Sequence, residues 1–212
     1  MANRGGFFVL EGLDGSGTTT QGSRLMERLR DRGVSCSLTR EPTGHPVGRL
    51  IRDALSGALV AGEGLGKITL SEAALCLLFA ADRIEHSEDI QTLRAAGTHV
   101  ISDRYVLSSI AYQSRDPAIS PERVIEVNRG IAIPDITFLL DVPVDECLKR
   151  LGQRDDARTV YERRDTLEDI AKGYEATLAL YRQHYGRLER IDGTQPIDAV
   201  TNEIIDHLES YM

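Results

Sequence analysis

The stretch "FFVLEGLDGSGTTTQGSRLMERLRDRG", Phe7 to Gly33, decides how the rest of the chain reads. It opens on a short apolar run, passes through a glycine-rich turn and ends on leucines spaced for a helix. Strand, glycine loop and helix are the outline of a phosphate-binding loop. "GLDGSGTT", Gly12 to Thr19, fits G-x-x-x-x-G-K-[ST] at every fixed position but one. Gly12, Gly15 and Gly17 let the backbone curl around Asp14 and Ser16, so that N–H groups point inward at phosphate oxygens. The helix expected from Thr18, with Thr19 and Thr20 in its first turn, adds its positive end. Thr19 holds the position whose hydroxyl ligates Mg²⁺. Thr18 stands where lysine is expected. Losing that charged hydrogen bond without a substitute costs roughly 2–4 kcal/mol in a transition state, about 30- to 1,000-fold in rate. Either another cation stands in, or the loop binds nucleotide without chemistry.

Working outward, four more apolar runs read as strands: "VSCSLT" from Val34, "THVISD" from Thr98, "ITFLLD" from Ile136 and "RLERID" from Arg187. Helical patterns separate them, which predicts a buried parallel sheet with helices on both faces. Gly97 reads as a helix stop, Pro134 as a strand start and Pro143 as part of a helix's first turn. In such sheets ligands sit at the carboxyl ends of the strands. The polar motifs fall there: the glycine loop after the first strand, "TREPTG" after the second and "SDRY" after the third.

The 212 residues suffice for one large domain, residues 1–212, with a substantial core. The net charge of −8 argues against nucleic acid as a partner, which would need a basic footprint. Cys36, Cys76 and Cys147 are widely spaced and odd in number, and read as buried thiols in a reducing cytoplasm rather than a zinc site. No apolar run approaches the ~18 residues of a membrane span.

Further motifs carry chemistry. In "SDRYVLSSIAYQ", Asp103 is placed to hold Mg²⁺ through water and Arg104 to bridge two phosphates with its planar fork. In "LLFAADRIEH", Phe79 and Arg83 are i and i+4 on one helix face, where a ring to stack on a base and a donor for its carbonyl would stand together. "TREPTG" sets Arg40 and Glu41 just past the second strand, with Pro42 stiffening the loop. "KRLGQRDDARTVYERRD", from Lys149, is the basic stretch of an acidic chain and fits an arginine-rich lid over about 150–164.

In order and spacing, "LEGLDGSGTTTQ", "TREPTG", "LLFAADRIEH", "SDRYVLSSIAYQ", "PDITFLLDVP" and "IDGTQPIDAV" resemble the thymidylate kinases, and the likeness runs through nearly the whole chain. The resemblance implies a three-layer α/β P-loop kinase fold with a five-stranded parallel sheet, a homodimer, and phosphoryl transfer from ATP to dTMP with Mg²⁺. It implies that Asp14 meets the sugar 3′-hydroxyl of dTMP. Arg40, Glu41 and Pro42 would line the monophosphate site, with Glu41 near the metal. Phe79 and Arg83 would read thymine, Arg104 would hold the dTMP phosphate against the γ-phosphate, and Ser109, Tyr112 and Gln113 would close on base and sugar. Arg150 and the "GTQP" turn would border adenine. Two departures stand out: Thr18 for lysine, and "EPTGHP" where Glu-Pro-Gly-Gly-Thr is usual. With no arginine in the glycine loop, the chain resembles the branch that supplies one from the lid, with Arg154 and Arg158 as candidates. A nucleotide-binding relic stays open as the alternative, and so does dUMP as acceptor, since one methyl group is worth only ~1–3 kcal/mol in a pocket.

Overall fold

The computed structural model describes residues 4–60, 68–153, 161 and 163–211. Arg154 and Arg158, with most of the expected lid, lie outside the described residues. The five expected strands form one sheet: β1 (Phe7–Gly12), β2 (Cys36–Arg40), β3 (His99–Asp103), β4 (Ile136–Asp141) and β5 (Leu188–Asp192). All neighbours are parallel and the order is β2-β3-β1-β4-β5. The chain leaves central β1 for the β2 edge, returns through β3, then crosses to β4 and β5. Both flanks of β1 thus open at their carboxyl ends, which is where an α/β sheet forms its crevice.

Alternation along β1 sorts the two layers. Phe8 and Leu10 pack with Phe138 and Leu140 against α1 (Thr18–Asp31) and α8 (Ile197–Leu208). Phe7 and Val9 face the other way, toward α3 (Glu72–Ala95), α4 (Val106–Gln113) and α7 (Arg164–Tyr185). Each such fully buried aromatic or leucine stabilises by about 1.5–3 kcal/mol, enough to fix the β1 register against a one-residue slip. Shorter helices complete the layers: α2 (Pro46–Leu55), α5 (Pro121–Val127) and α6 (Val144–Leu151).

Several boundaries differ from the sequence reading, among them the start of β5 at Leu188 rather than Arg187. Val34 is not in β2, because its N–H closes α1 on the Leu29 carbonyl at 3.0 Å, around Gly33 at φ +75°. Thr98 likewise closes α3 on Leu93 O at 3.0 Å instead of starting β3. Pro143 precedes α6 as its N-cap, with extended ψ of 143°, and is not in the first turn. Cys36, Cys76 and Cys147 are free and buried.

Candidate active site

The glycine loop joins β1 to α1. Gly15 and Gly17 adopt φ +88° and +103°, left-handed values open to glycine. A Cβ at Gly15 would meet Cys147 O at 2.6 Å, so α6 packs directly on the loop backbone. Gly17 caps α1 without any side-chain hydrogen bond, leaving the first-turn N–H groups of Thr18, Thr19 and Thr20 directed into the loop. Thr18 itself is buried, whereas Thr19 and Thr20 are exposed. Ser16 Oγ is buried with no partner among the described residues. Gly15, Ser16, Gly17 and Thr20 line a cavity of about 420 Å³ with Lys149 and Arg150. Arg150 spans it, donating from Nη1 to Ser16 O at 3.2 Å and from Nη2 to Gly193 O at 3.0 Å. The expected neighbours Arg150 and the Gly193 turn therefore meet across the loop.

Thr19 and Asp103, two of the expected metal donors, come together. Thr19 Oγ1 donates to Asp103 Oδ2 at 2.5 Å. Asp103 Oδ1 is buried with no partner among the described residues. A hydroxyl and a carboxylate with a spare oxygen are hard oxygen donors that suit Mg²⁺, which keeps several waters and takes few protein ligands. The pair also fits the group in being reached from solvent, through a cavity of about 690 Å³ that Arg40 lines.

Glu41 has other partners. Its Oε2 accepts from Arg83 Nε at 2.8 Å and Nη2 at 2.6 Å, and its Oε1 faces His86 Nδ1 at 3.0 Å. Both oxygens are taken, so Glu41 braces the loop after β2 and is not arranged as a metal ligand. Asp82, one residue before Arg83, accepts from Thr43 N at 2.8 Å and Thr43 Oγ1 at 2.6 Å. His86 also bonds Thr39. Three polar residues of α3, Asp82 and Arg83 on one turn and His86 on the next, thus clamp "TREPTG". Thr43, where the motif departs from glycine, supplies two of the donors.

The second cavity, about 350 Å³, holds the expected acceptor residues together except Arg40, which lines the 690 Å³ cavity instead. Phe79 and Arg83 enter it from α3, Pro42 and Glu41 from the loop, Ser109, Tyr112 and Gln113 from α4, and Asp14 from the glycine loop. Arg83 is pinned further by Asn128 Oδ1 at 2.6 Å and Ser109 Oγ at 2.9 Å. Burial alone would lower its pKa, but Glu41 raises it above the usual value, so it stays charged. Gln113 Oε1 is buried and unpartnered among the described residues.

Arg104 stands between the acceptor cavity and the glycine loop. It has φ +71°, a left-handed value rare for a side chain of this size. The turn is held by Arg104 N donating to Leu10 O at 2.8 Å and by Ser102 Oγ donating to Arg104 O at 2.7 Å. Arg104 Nη1 reaches Gly12 O at 2.8 Å and Nη2 reaches Asp14 Oδ1 at 2.6 Å. Its guanidinium lies 5.5 Å from the Tyr112 ring centroid. Such strain costs on the order of 1–3 kcal/mol and persists where surrounding bonds fix it.

Several site residues escaped sequence reasoning. Arg52 of α2 enters the acceptor cavity and donates to Pro42 O at 2.7 Å. Tyr161 lines the same cavity and packs edge-on against Tyr112 at 5.2 Å. Glu11 and Tyr174 lie under the glycine loop. One signal was present: Glu11 is the single charge in the otherwise apolar "FFVLEG".

A parallel sheet with a glycine loop after β1 and an arginine turn after β3, beside a cavity lined by Phe79, Arg83 and Tyr112, defines a nucleoside-monophosphate kinase. The family model described as "Thymidylate kinase" matches residues 10–204, and the chain belongs to the thymidylate kinase family. It is 37% identical over 210 residues to a putative thymidylate kinase of Treponema pallidum, covering 97% of this chain and 95% of that protein. It is also 37% identical over 209 residues to a probable thymidylate kinase of Thermococcus kodakarensis, covering 97% and 98%. The solved structure of thymidylate kinase from Candida albicans superposes with a TM-score of 0.77 at 28% identity, covering 98% of this chain and 92% of that one.

Proposed function

We propose that this chain is an active enzyme, a single kinase domain over 1–212 that transfers the γ-phosphoryl group of ATP to dTMP, giving ADP and dTDP. One observation carries the reading: Arg104 bonds both Gly12 of the phosphate loop and Asp14 of the acceptor cavity, so one fixed cation borders both substrates. The acceptor phosphate is already an anion and needs no general base, which leaves positioning and charge neutralisation to carry the rate. ATP phosphates take the N–H groups from Gly15 to Thr20, with Arg150 toward adenine. The nucleoside of dTMP takes Phe79, Arg83, Ser109, Tyr112 and Gln113, and its phosphate takes Arg104 and Arg40, with Arg52 as a further cation. Thr19 and Asp103 would hold Mg²⁺, which would supply neutralising charge for phosphoryl transfer. Arg154 and Arg158 are proposed to supply the cation that Thr18 lacks.

The chain is further proposed to work in the cytoplasm as a homodimer with no nucleic-acid partner. Among the described residues no helix is long and apolar enough to cross a membrane. Leu77 and Ile84, one heptad apart on α3, are 55% and 47% exposed, and Leu50 of α2 is 40% exposed, an apolar face suited to a second copy.

One observation favours a second reading, nucleotide binding without turnover: the P-loop lysine is Thr18. ADP release with ATP, Mg²⁺ and either dTMP or dUMP decides, for wild type and Thr18→Lys side by side. Turnover in the wild type, faster with dTMP, is expected. No turnover in the wild type but activity in Thr18→Lys would replace the proposal with the second reading.

A further inference from the structure

Glu11 is fully buried on β1, one residue before the glycine loop. Its Oε1 accepts from Tyr105 N at 2.9 Å and Ser108 N at 3.1 Å, and its Oε2 accepts from Ser108 Oγ at 2.5 Å. Tyr105 is the N-cap of α4 and Ser108 its third residue, yet Tyr105 makes no side-chain cap. These are the two orphan N–H groups that a capping box satisfies from within a helix. Here one carboxylate from a neighbouring strand satisfies both. The helix so capped begins directly after the strained Arg104.

A second strut comes from α7. Gly173 lets α7 approach α4 closely, since a Cβ there would lie 2.7 Å from Ala111 O. The next residue, Tyr174, carries its hydroxyl to 3.0 Å from Gly12 O, 3.1 Å from Ser108 Oγ and 3.2 Å from Glu11 Oε2. Gly12 O also accepts from Arg104 Nη1, and Ser108 Oγ lies 3.1 Å from that same nitrogen. Apart from each other, the groups that the Glu11 carboxylate and the Tyr174 hydroxyl touch among the described residues, Gly12 O, Tyr105 N and the N–H and hydroxyl of Ser108, are contacts of Arg104 or part of the helix start that follows it. Burial pushes the Glu11 carboxyl up to about 7, against the pull of Ser108, Arg104 and Tyr105. That a carboxyl stays in so unfavourable a place fits a task beyond filling space.

We infer that Glu11 and Tyr174 are positioning residues that hold Arg104 in its left-handed turn, between the phosphate loop and the acceptor cavity. This rests on the reading that Arg104 grips the acceptor phosphate. On this inference the two contribute to the reaction by way of Arg104, although they also touch Gly12 and the start of α4, and a cycle with Arg104 tests it.

Tyr174→Phe keeps the ring, which packs edge-on against Tyr112 at 6.3 Å, and removes only the hydroxyl. Turnover is expected to fall about tenfold in kcat, with the KM for ATP changed less than about twofold. In an Arg104→Ala background the same substitution is expected to change turnover less than about twofold, because the group it positions is gone. Glu11→Gln is expected to behave the same way in both backgrounds. A tenfold loss in both backgrounds would make the two merely structural and overturn the inference, as would no loss in either. Should the wild type bind without turning over, dTMP affinity by calorimetry gives the same cycle, with about tenfold weaker binding expected only where Arg104 is present. A wild type that neither turns over nor binds dTMP would remove the kinase reading itself, a result distinct from a failed cycle.

Discussion

Arg83 and Glu41 form an ion pair of 2.6 Å whose side chains are 1% and 3% exposed. The pair joins α3 to the loop after β2 and sets one wall of the acceptor cavity. A charge left alone in such a place is costly, so breaking the pair from one side is expected to destabilise by about 3–5 kcal/mol. Arg83→Met should show this in urea unfolding, and adding Glu41→Gln should recover part of the loss. A change below about 1 kcal/mol in Arg83→Met would mean that His86 alone keeps Glu41 satisfied.

Arg104 combines a strained backbone with a fork that bonds Gly12 and Asp14 at once. Arg104→Ala is expected to lower kcat/KM for dTMP by about 100- to 1,000-fold. Arg104→Lys should restore little of it, because an ammonium is a point charge and cannot bridge two acceptors in a fixed plane. Steady-state kinetics of the three proteins checks this, and full rescue by lysine would show that charge alone matters.

The proposed metal donors are Thr19 and Asp103, with Asp103 Oδ1 unpartnered among the described residues. Asp103→Asn keeps the shape and removes the charge. The Mg²⁺ concentration for half-maximal turnover is expected to rise about tenfold or more, while dTMP affinity measured without Mg²⁺ stays within about twofold. Unchanged Mg²⁺ dependence would move the metal away from this pair.

Much of this was legible because it is local. The five apolar runs are the five strands, and Phe79, Arg83, Ser109, Tyr112 and Gln113 do meet in one cavity. What was not legible depends on long-range partners. Glu41 looked free to hold metal until α3 brought Arg83 and His86 to both its oxygens. Glu11 and Tyr174 are 163 residues apart, and no spacing rule links them. Strand ends shifted at Val34 and Thr98 because helix closure claimed their N–H groups first.

The proposed dimer face gives a separate test. Leu77→Glu with Ile84→Glu sets two charges on the exposed stripe of α3 and leaves the buried stripe intact. Light scattering after size exclusion should read twice the chain mass for the wild type and a single chain mass for the variant. A wild type of single-chain mass would dispose of the homodimer.

Glu11 makes a prediction about pH. Burial raises its pKa from 4.5 to about 7. A group whose pKa is higher folded than unfolded holds its proton more tightly in the native state. Its favourable contribution is full below pH 4.5 and is lost as pH rises through about 7. The shift corresponds to about 3 kcal/mol at roughly 1.4 kcal/mol per unit. Glu11→Gln carries no such proton, so its unfolding free energy relative to wild type should rise by about that amount between pH 4.5 and pH 8. Taking the difference between the two proteins cancels the titration of every other group that behaves alike in both. Urea unfolding at half-unit steps reads the curve. A difference that stays flat would mean that the four donors around the carboxylate, from Tyr105, Ser108 twice and Tyr174, outweigh its burial and keep it ionised down to acid pH.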